Sequence, residues 1–239
     1  MVRAAVPATD LATIQQTLWA ANAHGDAMLF AREVVAVLTK TGAASHPHLQ
    51  ALAGGNVLHA PRALADCVHF LAILHGELPS LFTLARDVDA ADCGWLIAAA
   101  DHFERDRKWL ARLVVLTGSQ LSRHELTMAE EIVREQRRAL LTLGRSSRRG
   151  CAIGAAAAFA TDWTTLRAMI DNVSRRLFGP AAAELPAAML DDDATGMLRD
   201  AARSDASRRA VLFGAAQLAS IQGQLADLLE ARHRMLGQS

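Results

Sequence analysis

The stretch CAIGAAAAFATDWTTLRAMIDNVSRRL, Cys151 to Leu177, decides how this chain is read. Its residues Cys151, Ala155, Ala158, Asp162, Leu166, Met169, Val173 and Leu177 recur every three or four positions, which stacks them on one face of an α-helix. The seam is apolar except at Asp162. A carboxylate removed from water is costly unless it is bonded or protonated, so Asp162 is expected to have a partner or a raised pKa.

Working outward, the same periodicity continues and no segment alternates as a half-buried strand does. The expected fold is all-α: an up-and-down antiparallel bundle of four main long helices, with additional helices packed alongside, in one domain over residues 1–239. A first helix is predicted from Asp10 to Lys40, with Thr9 or Asp10 as N-cap, Leu11, Ile14 and Leu18 inside, and a bend at Gly25. Residues 41–60 read as a long loop with a short helical turn around Leu49. The second helix, Pro61 to Arg86, is apolar on most sides and is expected to kink or split at Pro79. A third covers Asp89 to Thr117, and a fourth opens at Ser122, where Glu125 completes capping-box spacing. In the fourth, Leu126, Ala129, Val133, Gln136, Leu140 and Leu143 face inward, while Glu130, Glu131, Arg134, Glu135, Arg137 and Arg138 face water. The fifth helix is placed from Ser147 to Phe178 and the sixth from Asp205 to Leu236. Between them lies an irregular segment, about 179–203, with Pro186, the acidic run Asp191 to Asp193 and a short helix from Thr195.

Composition narrows the functional classes. Lys plus Arg and Asp plus Glu number 25 each, which gives no general attraction to nucleic acid or to an anionic membrane surface. Charges interrupt every apolar run short of the roughly 18–20 residues of a spanning helix. The start of the chain lacks the pattern of a secretory signal, so a cytoplasmic location is expected. Cys67, Cys93 and Cys151 are odd in number, widely spaced and within helices, and read as reduced, buried thiols. Tyrosine is absent. No phosphate-loop, dinucleotide, serine-hydrolase or zinc-protease motif occurs, so no catalytic residue and no cofactor is specified.

The candidate sites are sets of polar residues on apolar helices. Asp66, His69 and Glu77 fall within about 80° of one another at 100° per residue, with His75 opposite Asp66. With Asp162 they form a candidate core pocket for a ligand or metal, or else satisfy one another or the backbone. Glu230 and His233 have the E-x-x-H spacing of di-metal bundles, yet also suit a solvated helix end. His102 and Asp106 read as a solvated i, i+4 pair beside Trp109, and His46, His48 and His59 as loop histidines able to clip a metal. Arg145, Arg148 and Arg149 precede a helix N-terminus, a candidate anion contact.

The segments LHGELP (Leu74 to Pro79), RRGCAIGAAAAFATDW (Arg148 to Trp163) and VLFGAAQLASIQGQLADLLEAR (Val211 to Arg232) resemble an uncharacterised bacterial family of helical proteins. That resemblance implies an all-helical fold and supplies no catalytic residues. In architecture the chain is also similar to ferritin-like bundles, without their paired metal-ligand motifs. The leading expectation is a non-catalytic bundle acting through protein contact or self-association. The alternatives are a ferritin-like or oxidase-like bundle holding a metal or small ligand in its core, and an anion-binding protein.

Overall fold

The computed structural model describes residues 29–88, 94–118, 123–179 and 192–236, which contain helices and no strand. The predicted helix start near Asp10, the bend at Gly25, the Ser122 cap, Cys93, and the run from Pro186 to Asp191 lie outside the described residues.

Helix α1 occupies residues 29–41. The stretch expected as a long loop is more ordered than its composition suggests: a 3-10 turn, Ala43–Ser45, leads into α2, Pro47–Gly54. Pro47 suits a first helical turn, and the His46 side chain accepts the His48 N–H. Gly55, at φ 79°, closes the other end in the left-handed conformation that only glycine adopts without strain.

The expected second helix divides into α3, Ala60–His75, and α4, Leu81–Val88. Proline 79 has no N–H to continue the ladder. The exposed carbonyls at the break are taken by Arg137, which donates Nη1 to Leu74 O (3.0 Å) and Nη2 to Glu77 O (2.6 Å) and Pro79 O (3.1 Å). This corrects the placement of Arg137 on a solvated face, since it is buried.

The remaining helices are α5, Gly94–Thr117; α6, Arg123–Gly144; α7, Cys151–Phe178; α8, Asp192–Ala201; and α9, Asp205–Leu236. Helix α7 begins four residues later than expected because Gly150, at φ 89°, turns the chain into it. Helix α7 is the centre of the molecule. Every residue from Cys151 to Ala160 is buried, so its first three turns have no solvent face, unlike the single seam read from sequence.

Small residues cause this burial. A Cβ on Gly154 would overlap the Val211 carbonyl of α9, and a Cβ on Gly214 would overlap the Cys151 carbonyl of α7. The two backbones therefore touch. Gly150 meets Ser207 and Val211, and Gly154 meets Val211, so α7 and α9 run in the same direction. Helix α3 runs against them: Asp66 meets Arg232 near one end and His75 meets Gln222 further along. The short α6–α7 turn, residues 145–150, leaves those two helices as antiparallel neighbours. Over the shared core, Phe82, Phe103, Phe159 and Trp163 pack edge-on or tilted at 5.0–5.9 Å. Each is fully buried, a burial that contributes roughly 1.5–3 kcal/mol per side chain.

Candidate functional site

Of the polar residues expected in the core, Asp66, His75 and Asp162 are buried and His69 is half-buried, each against a different neighbour. Asp162 accepts the Ala43 N–H at 3.1 Å and the Ala44 N–H at 3.0 Å, so a carboxylate of α7 caps the 3-10 turn after α1. Burial pushes its pKa up, and the two N–H bonds pull against that without cancelling it. Asp66 faces α9, where Arg232 Nε donates to it at 3.2 Å. Burial raises the Asp66 pKa and Arg232 opposes the rise. His69 turns to α6 and bonds Glu130 at 2.9 Å. Burial works against the Glu130 carboxylate, but the bonds from His69 and Arg134 hold it below the usual range.

His75 lies stacked on Phe159 at 4.5 Å, with Nε2 at 3.3 Å from Gln222 Oε1. Full burial lowers its pKa to about 3, so the ring is neutral at pH 7 and Nε2–H donates to Gln222. The Glu77 side chain is exposed. The helical wheel grouped Asp66, His69 and Glu77 with His75 opposite, but Glu77 lies beyond the end of α3, and Asp66 and His69 face different helices. Asp66, His69, His75, Glu77 and Asp162 are therefore not brought together in one pocket.

The other sequence candidates also separate. Asp106 points away from His102 to α7, accepting Trp163 Nε1–H at 2.8 Å and Arg167 Nε–H at 3.2 Å. This corrects the reading of His102 and Asp106 as a solvated pair. His46 bonds Asp227 at 3.1 Å, while the His48 ring lies 5.2 Å from that of His233. Glu230 pairs instead with Arg234 at 2.6 Å, and His59 begins α3 in a left-handed conformation. Among the described residues no three His, Cys, Asp or Glu side chains are grouped to hold a metal ion.

Sequence reasoning missed the buried arginines. Arg167 is 1% exposed, lies 3.3 Å from the Trp109 ring centroid, and pairs with Asp106 and Asp171. Asp171 also bonds Arg175. The i, i+4 series Arg167, Asp171, Arg175 was the available signal, hidden because such a series usually marks a solvated face.

Arg148 and Arg149, in contrast, meet further arginines from distant sequence. The turn into α7 packs on the corner between α8 and α9, where a Cβ at Gly150 would crowd Val211 Cγ2 (2.9 Å) and Ser207 O (3.2 Å) and touch Ala201 O (3.5 Å). Beside this contact is a cleft of about 680 Å³, lined by Arg148 and Arg149 from the turn, Asp200 and Arg203 from the corner, and Arg209 and Phe213 from α9. Ser204 and Ser207 cap each other across the start of α9, with Ser204 Oγ accepting the Ser207 N–H and Ser207 Oγ the Ser204 N–H. Arg203 pairs with Asp200 at 3.2 Å, and Arg148 lies 5.7 Å from the Phe213 ring centroid. Arg145 does not line the cleft; its N–H closes the end of α6 on the Leu141 and Thr142 carbonyls.

A family model described as a family of unknown function, DUF6975, matches residues 38–236. The chain belongs to that family. No curated protein and no solved structure matches it. The DUF6975 match runs from the end of α1 to the last residue of α9 and so takes in the whole cleft. Four arginines and one aspartate line it, Arg203 being paired with that aspartate. The forked N–H donors of arginine match the oxygens of phosphate.

Proposed function

We propose that this DUF6975 protein is a binding module whose arginine-lined cleft takes a phosphate-bearing partner. The observation that carries the reading is the convergence of Arg148, Arg149, Arg203 and Arg209, from three parts of the chain, on one cleft. A chain whose acids and bases balance 25 to 25 has no reason in bulk composition to concentrate positive charge at one place. The placement of Arg148 and Arg149 just ahead of α7 adds the partial positive charge of a helix start.

Isothermal titration with pyrophosphate tests it. Saturable binding at millimolar or lower concentration is expected, weakening as salt is raised. Arg149→Glu and Arg209→Glu, both at exposed positions, should each reduce affinity at least tenfold while leaving the melting temperature of the free protein nearly unchanged. Wild-type protein that shows no saturable binding contradicts the reading.

Self-association in the cytoplasm is a second reading, favoured by apolar side chains left in water: Val115 on α5 is 83% exposed and Met128 on α6 is 69% exposed. The buried free thiols Cys67 and Cys151 agree with a reducing compartment. Sedimentation equilibrium of wild type and Val115→Asp/Met128→Asp checks it; a wild-type monomer at all concentrations would exclude it.

A further inference from the structure

The cleft is larger than a phosphate needs. About 680 Å³ falls within the roughly 300–1,000 Å³ typical of sites for organic ligands, whereas one phosphate group engages two or three arginines and leaves the rest to water. The remainder is not basic. Ala206, Ala210 and Phe213 follow at i, i+4 and i+7, so beside Arg209 one face of α9 presents small apolar residues ending in an aromatic ring. Phe213 is 45% exposed at that end, and the Arg148 guanidinium stands over it. A flat ring and a guanidinium plane are surfaces on which another flat group stacks. At the corner, Asp200 is the carboxylate of the lining; its Oδ1 is paired with Arg203 and Arg199, and its second oxygen is an acceptor for a hydroxyl or amine.

Resting on the anion reading above, we infer that the ligand is a phosphorylated molecule carrying a planar ring, the chemistry of a nucleotide. Its phosphates lie among Arg149, Arg203 and Arg209, and its ring lies against Phe213 and Arg148.

Titration calorimetry at fixed ionic strength with pyrophosphate, ADP and adenosine, on wild type and Phe213→Ala, separates this inference from the reading beneath it. ADP should bind wild type at least tenfold tighter than pyrophosphate. Phe213→Ala should abolish that difference while leaving pyrophosphate affinity within about twofold. If pyrophosphate binds but ADP gains nothing over it, or Phe213→Ala leaves the gain intact, the nucleotide inference fails and the anion reading stands. If adenosine binds as tightly as ADP, the phosphate assignment fails. If neither pyrophosphate nor ADP binds, both readings fail. Melting curves confirm that Phe213→Ala, at a partly exposed position, remains folded.

Discussion

Asp162, the one carboxylate in the apolar seam of α7, caps backbone that the seam itself does not contain. The spacing of α7 indicated that the side chain is buried, but not that its partners would be the N–H groups of Ala43 and Ala44, more than a hundred residues earlier. Asp162→Ala removes both acceptors and leaves two donors without them, at a cost of about 2 kcal/mol by urea unfolding. An unchanged midpoint would show that water replaces the carboxylate. His75 makes a different prediction. Its folded pKa of about 3 lies below the ordinary value of 6.5, so the unfolded chain takes up the proton first as pH falls. Its contribution to stability is complete above pH 6.5 and lost on acidification toward 3, with a slope approaching about 1.4 kcal/mol per pH unit. His48, whose pKa is lowered by burial and by the neighbouring His233, adds in the same direction. In His75→Phe/Gln222→Leu the His75 share disappears, so equal slopes for variant and wild type between pH 6 and 4 would refute the assignment.

At the scale of elements, what could be read in advance followed from local chemistry. Helix α9 begins and ends where predicted, at Asp205 and Leu236, because its periodicity is long and uninterrupted. The inner stripe of α6 from Ala129 to Leu143 is buried as its spacing requires. The division of the second helix at Pro79 was legible, but the guanidinium that satisfies its open carbonyls was not, since Arg137 sits among charged neighbours. Direction was the least accessible property. A parallel α7–α9 pair depends on a glycine of each helix meeting the backbone of the other, Gly154 at Val211 and Gly214 at Cys151, and the same glycines could have been read as breakers. Gly154→Ala and Gly214→Ala should each destabilise by about 1–3 kcal/mol, because a Cβ there strikes backbone that cannot move aside. Gly196→Ala, in α8 with open space around it, serves as control and should be neutral or stabilising by about 0.5–1 kcal/mol. Denaturant midpoints of the three variants decide the matter, and equal effects would mean that the helices are not in backbone contact.

For the whole molecule, the fold class was written in the sequence and the site only in part. Arg148 and Arg149 were visible beside a helix start, but Arg203 and Arg209 lie more than fifty residues on, and only the return of the chain past α8 brings them to the same cleft. The candidate core residues Asp66, His69, His75 and Asp162, which looked more like chemistry, each bond an element other than their own. Bundle and cleft are thus linked: the backbone contact of α7 with α9, together with Gly150, sets the arginines around one space. The most direct test is a crystal structure of the full chain grown with saturating pyrophosphate. Density for the anion within the cleft, bonded to Arg149 and at least one of Arg203 and Arg209, is the predicted result. A cleft without the anion, or α7 and α9 running in opposite directions, would contradict it.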